Sequence, residues 1–184
     1  MNIKNWKQKL ETERGEKDQF FALHPQSPLP QSDREDFTAL DYFPPDPKYR
    51  FELMLHEYKN QELIHVADTR GQQRGLLVWG EFQFQVGDLT CSLQAYRSDA
   101  REERLFLPFK DETNDEQTYG AGRYMDLEPE HHLTDNGLWV LDFNKAYNPW
   151  CAYSEHYACP FVPRDNWLPC PIQAGEKKYP LNGK

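Results

Sequence analysis

The stretch LLVWGEFQFQVGDLTCSLQAY runs from Leu76 to Tyr96. In its first half Phe82, Phe84 and Val86 alternate with Glu81, Gln83 and Gln85. That period of two puts the apolar side chains on one face of a strand. Gly87-Asp88 then reads as a two-residue hairpin turn. The chain answers with Leu89, Cys91, Leu93 and Ala95, again on one face. An antiparallel hairpin with one apolar face is the result.

The same pattern extends outward. Phe51, Leu53 and Leu55 alternate with Arg50, Glu52 and His56, and ELIHVADT places Leu63, His65 and Ala67 together. RLFLPF, TYGAGRYMDL and LWVLDF supply further strands. Turns between these runs are short, so antiparallel pairing follows, because parallel strands need long crossovers. A sheet of roughly seven or eight strands curls or splits. The expectation is a mainly β fold, an antiparallel β-barrel or strongly curled sandwich, in a single domain over residues 41–184.

Residues 1–40 read differently, as a helical arm and loop. Ile3, Trp6 and Leu10 fall at helical spacing among charged residues, and Gly15 is a candidate break. HPQSPLPQ is a loop. Ser32 and Glu35 in SDRE have capping-box spacing, which predicts a short helix from Asp33 to about Leu40.

Composition limits the function classes. The chain has 184 residues and a net charge of -9, with 14% aromatic residues. An acidic chain repels phosphate backbones and anionic lipid, which argues against nucleic-acid and membrane partners. No stretch approaches the ~20 apolar residues of a membrane span. The first eighteen residues contain no apolar signal core, so a soluble cytoplasmic protein is expected. No cofactor is expected, since nucleophile elbow, HExxH, Walker and Rossmann patterns are all missing. The protein is expected to be a monomer or a homodimer, the latter through an exposed Trp6.

Chemistry concentrates near the C-terminus. In TYGAGRY, Gly120 and Gly122 suggest a bend beside a cavity, flanked by Tyr119 and Arg123. Arg123 can grip a carboxylate or phosphate with paired bonds, or form an internal salt bridge to Asp142 or Asp111. In LDFNKAYNPWCAYSEHYACP, Asp142 and Asn144 share a face opposite Leu141 and Phe143. Asn148 before Pro149 favours a turn. Cys151 and Cys159 allow a disulfide, a zinc site with His156, or a nucleophile. Free buried thiols are the default, and no metal site is expected.

These segments resemble the domain-of-unknown-function family 1684 of bacteria and archaea over residues 37–177. The resemblance rests on Lys110-Asp111, Thr118 to Arg123, Asp142 to Pro149, Cys151-Ala152, Cys159-Pro160, Asn166 to Leu168 and Ala174 to Lys177. Two departures stand out. Many relatives carry a longer N-terminal region, and Trp150 stands where the family often has a second proline. The resemblance implies motif positions and no reaction.

Most motif residues are polar or aromatic and fall at strand ends and on one long loop. The expected site is therefore a pocket at one barrel mouth for a small polar or anionic ligand. Its candidate lining is Tyr119, Arg123, Asp142, Asn144, Tyr147, Asn148, Tyr153 and Glu176, with Arg123 holding the ligand and Asp142 orienting Arg123. One alternative is an enzyme using Asp142 or Glu176 as acid/base, or Cys151 as nucleophile. Another is a structural or interaction protein in which the motif loop locks the fold.

Overall fold

A computed structural model of the chain describes residues 2–180. Helix α1 (Ile3–Leu23) is followed by a short helix α2 (Gln31–Arg34). Seven strands then appear among the described residues: β1 (Arg50–Leu53), β2 (His56–Ala67), β3 (Gln73–Val86), β4 (Leu89–Arg97), β5 (Leu105–Phe109), β6 (Arg123–Leu127) and β7 (Trp139–Asp142). A one-turn helix α3 (Pro129–His132) precedes β7.

The β3–β4 hairpin forms as its sequence dictates. Val86 pairs with Leu89 across Gly87-Asp88, and Gly87 takes the positive φ of 59° that such a turn requires. Phe82, Phe84, Cys91, Leu93 and Ala95 are buried on one face, while Gln83 and Gln85 are exposed on the other. Strand β2 inverts the expected pattern. Its register shifts between Glu57 and Glu62. Ile64 and Val66 pack with Val78 and Tyr96 in a second cluster, separate from the main core, and Leu63 and His65 are exposed.

All pairings between the strands are antiparallel, in a five-stranded sheet β2-β3-β4-β5-β6 and a two-stranded sheet β1-β7. The expected barrel does not close, and the fold is mixed and strand-rich rather than a barrel. The segment from Tyr147 to Phe161 occupies the place of a closing strand. It bridges Tyr124 of β6 through Tyr147, and Asp68 just beyond β2 through Pro160. Between those points it turns at Pro149 and through a 3-10 turn at Trp150–Ala152, so it offers no continuous ladder.

The main core lies between the two sheets and contains Phe82, Leu93, Leu107, Leu141 and Phe143. It is completed by an extended segment in which Leu168, Cys170, Ile172 and Ala174 alternate into the core. This segment has strand periodicity without being a strand, because Pro169 and Pro171 lack the N–H groups of a ladder.

Helix α1 runs unbroken through Gly15, contrary to the expected break. Gly15 is exposed, and its cost of up to ~1 kcal/mol is outweighed by packing of the opposite face. Leu10 and Phe21 on that face are buried. The capping box at Ser32 does not form. Instead α2 starts at Gln31 behind Pro30, ends at Arg34, and Ser32 bonds the Asp33 carboxylate at 3.0 Å. No helix among the described residues is long and apolar enough to cross a membrane.

Candidate functional site

The residues nominated from sequence do not converge on one pocket. They separate into neighbouring clusters along the face that α1 covers.

Arg123 opens β6 and is fully buried. Its guanidinium donates to Asp111 Oδ2 at 2.8 Å and to the carbonyls of Ile172 at 2.8 Å, Glu176 at 3.2 Å, and Ala174. The expected partner Asp142 is elsewhere. Arg123 therefore supplies hydrogen bonds to the carbonyls of segment 172–176, which follows Pro169 and Pro171 and belongs to no sheet. Gly122, just before it, is a turn residue with φ of 102°, and not part of a strand. A Cβ there would stand 2.7 Å from the Phe109 carbonyl oxygen, so only glycine brings the chain this close.

Asp142 ends β7 and caps the turn that follows. Its Oδ1 accepts from the Asn144 backbone N–H at 3.0 Å and from Asn144 Nδ2 at 2.9 Å. Its Oδ2 accepts from Trp6 Nε1 of α1 at 2.8 Å, with Arg50 Nε 4.0 Å away. Trp6 is thereby half-buried against its own chain. Asn144 also exchanges two bonds of 2.9 Å with the backbone of Asp46, tying β7 to the entry of β1.

Glu176 is the second hub. Its Oε2 accepts from Tyr153 Oη at 2.5 Å and from the Asn148 backbone N–H at 2.8 Å, and its Oε1 pairs with Lys17 of α1. Asn148 Nδ2 bonds the Lys177 carbonyl at 2.8 Å, and Phe21 stacks edge-on against Tyr153 at 4.8 Å. Burial, reinforced by the Glu176 charge, raises the Tyr153 phenol well above its ordinary range and keeps it a donor. Tyr147 points the other way, and its hydroxyl donates to Asp126 Oδ2 at 2.5 Å.

Around Glu176 lies a cavity of about 240 Å³, walled by Arg14 and Lys17 of α1, by Tyr42, and by Asn144, Lys145 and Tyr147 of the motif segment. Arg14 stacks over the Tyr42 ring at 4.3 Å and donates to the carbonyls of Phe43 and Asn144 at 3.0 and 3.2 Å. Its Nε remains buried without a hydrogen-bond partner, and the Tyr42 hydroxyl lies beside the Glu176 carboxylate. Burial pushes the Arg14 guanidinium below its ordinary value and the Tyr42 phenol above its own. An adjoining groove of about 820 Å³ shares Leu10, Glu13 and Lys145 with this cavity and reaches Trp6, Asp142 and His132.

Sequence reasoning missed Arg14, Lys17 and Lys145. Arg14 and Lys17 share the helical spacing of the buried Leu10 and Phe21, which places them on the packed side of α1. Tyr119 joins none of these clusters; it donates to Cys151 Sγ at 3.8 Å. No group of three or more His, Cys, Asp or Glu residues able to hold a metal occurs among the described residues.

The polar clusters and the long ordered motif coincide with a family signature. The description "Protein of unknown function (DUF1684)" matches residues 35–177. The chain belongs to the DUF1684 family. It is also similar to an uncharacterised protein of Haloarcula marismortui whose solution NMR structure is known. The two are 40% identical over 96% of each chain, with a TM-score of 0.72. Among curated proteins none matches the chain. Every DUF1684 position quoted above except Lys110-Asp111, Thr118 to Arg123 and Asn166 to Leu168 lies on the segments 142–160 and 174–177. Five of the residues there, Asn144, Lys145, Ala146, Tyr147 and Glu176, line the cavity under α1.

Proposed function

We propose that this DUF1684 protein binds a small anionic molecule in the cavity between α1 and the segment Asn144–Tyr147. Arg14, Lys17 and Lys145 supply the attraction, and Tyr42 supplies a hydroxyl. The observation that carries this reading is Arg14 Nε, a buried donor without a hydrogen-bond partner on a residue that lines the cavity. A buried donor without a partner costs about 1–3 kcal/mol, so folded proteins seldom keep one without a ligand or water to answer it. The wall carries three basic side chains against two acidic ones, Glu13 and Glu176, in a chain whose net charge is -9. A local positive excess on an acidic protein selects for anions.

The volume limits the ligand to a few heavy atoms, such as a short carboxylate or a phosphate, unless it extends into the adjoining groove. Arg123 plays a supporting part in this reading: it holds segment 172–176, and with it the Glu176 backbone. Asp142 and Glu176 act as hubs that dock α1 rather than as proton-transfer groups, because both oxygens of each carboxylate are already engaged.

The test is nitrogen-15 NMR of arginine Nε–H groups during titration with inorganic phosphate, acetate and succinate. A saturable shift of the Arg14 Nε–H with one of them, weakened in Lys145→Met, supports the reading. Absence of a saturable response to all three sinks the anionic ligand.

A further inference from the structure

We propose that Cys151 and Cys159 form a redox-active dithiol, oxidised reversibly to an intramolecular disulfide by a hydroperoxide, with Cys159 attacking and Cys151 resolving. This site is separate from the cavity under α1 and stands on different observations.

The two residues are held together by the loop that covers the open side of the sheet. Cys151 sits in the turn Trp150–Ala152, and its backbone N–H donates to Cys159 Sγ at 3.4 Å. The Cα of Cys151 is one bond from that nitrogen, so it lies within ~5 Å of the Cys159 sulfur. The Cys159 sulfur is thus within reach of the Cys151 side chain. Cys159 is fixed in turn by Thr69, which accepts from its amide at 3.2 Å and donates to its carbonyl at 3.0 Å. The Tyr119 hydroxyl donates to Cys151 Sγ. Cys159 is 8% exposed and Cys151 half-buried, so the pair lies nearer the surface than Cys91 and Cys170.

The surroundings give the two sulfurs different roles. Interaction with the Cys151 thiol, with help from backbone N–H groups and the charge of Arg74, lowers the Cys159 thiol below its ordinary range against the opposing effect of burial. The same interaction, together with burial, raises Cys151, which keeps its proton. Reactivity follows the thiolate, so Cys159 is the nucleophile. A second thiol pair makes the contrast. Cys91 and Cys170 stand 3.5 Å apart in the core, each 1% exposed. Burial and the neighbouring Cys91 push Cys170 up to about 12, and it stays a protonated, inert core residue.

The chemistry balances without a further reactant. The Cys159 thiolate attacks one peroxide oxygen; an S–O bond forms, the O–O bond breaks, and the departing alkoxide or hydroxide takes a proton. The Cys151 sulfur then attacks the sulfenic sulfur; an S–S bond forms, the S–O bond breaks, and hydroxide leaves as water with the Cys151 proton. Two thiols are oxidised, and the hydroperoxide is reduced to an alcohol, or water, plus water. A small dithiol reverses the reaction by exchange.

The experiment treats the full chain with hydrogen peroxide under native conditions, alkylates the remaining thiols after denaturation, and maps the peptides. The expected product has lost two hydrogen atoms, links Cys151 to Cys159, leaves Cys91 and Cys170 alkylated, and returns to the dithiol with dithiothreitol. In Cys151→Ser, oxidation stops at a Cys159 sulfenic acid that dimedone traps. In Cys159→Ser, oxidation of Cys151 slows about tenfold or more. Mapping of the unsubstituted chain decides the matter even if a variant misfolds. Free Cys151 and Cys159 after peroxide, a Cys91–Cys170 link instead, or undiminished Cys151 oxidation in Cys159→Ser would each overturn the proposal.

Discussion

Arg123 and Asp111 form an ion pair of 2.8 Å in which neither side chain is exposed. The pair closes a larger set of bonds. Asp111 Oδ1 accepts from Thr113 N at 2.9 Å, Thr113 Oγ1 at 2.6 Å and Ile172 N at 3.1 Å, while Arg123 spans three carbonyls of the segment 172–176. Removing one partner leaves the other charge stranded in the core. Asp111→Ala should therefore lose about 3–5 kcal/mol in urea unfolding. A loss below about 1 kcal/mol would show that the pair is incidental to the fold.

Gly122 places Arg123 at the start of β6. An added Cβ meets Val162 Cγ2 at 2.6 Å and the Phe109 carbonyl oxygen at 2.7 Å, on a backbone already at φ of 102°. A side chain can move aside, but a paired strand carbonyl cannot do so cheaply. Gly122→Ala is expected to cost about 2 kcal/mol or more, from strain and overpacking together. Chemical denaturation measures it; an unchanged midpoint would contradict the close approach.

How much of this was legible beforehand depends on whether the cause was local. The β3–β4 hairpin was readable because Gly87-Asp88 and the alternation around it determine both turn and register. The open sheet was not, since closure depends on what covers the edges, and the cover is a loop stitched through Tyr147 and Pro160. Which side of β2 packs was not legible, because Ile64 and Val66 meet a second cluster built by Val78 and Tyr96 of other strands. Of the residues nominated from the motif, Asn144, Tyr147 and Glu176 line one cavity. Arg14 and Lys17 were passed over because lysine and arginine on a helix ordinarily face water. Arg123 was recognised as important, but burial assigns its bonds to its own chain.

Gly15 offers the opposite test to Gly122. It lies mid-helix on the exposed face of α1, with nothing within 4 Å of an added Cβ. Gly15→Ala relieves the helix of its most flexible residue without touching a neighbour. Stability should rise by about 0.5–1 kcal/mol, visible as a higher melting temperature. A decrease would mean that α1 bends at Gly15 in solution.

Trp6 anchors the first turns of α1 through its indole N–H to Asp142 Oδ2. Trp6→Phe keeps an aromatic ring and deletes the donor, leaving a buried carboxylate one hydrogen bond short. The expected cost is about 1.5–3 kcal/mol, the range for a bond to a charged group. Amide hydrogen exchange should accelerate over Ile3–Leu10 more than over β3 and β4. Equal acceleration everywhere would indicate that α1 and the sheets unfold as one unit.

The Lys17–Glu176 pair joins the other end of α1 to the motif, and its asymmetry makes it separable. Lys17 is 30% exposed, whereas Glu176 is 2% exposed. Lys17→Met leaves Glu176 charged and buried with only the neutral donors Tyr153 and Asn148, so it should be strongly destabilising. Glu176→Gln leaves Lys17 able to reach water and should cost less. Adding Glu176→Gln to Lys17→Met removes the stranded charge and should recover part of the loss. A double-mutant cycle by urea denaturation should then give a coupling of about 1–3 kcal/mol. A coupling near zero would mean that neutral hydrogen bonds and Phe21 packing dock α1, and that Lys17 is free to meet a ligand at no cost to the fold.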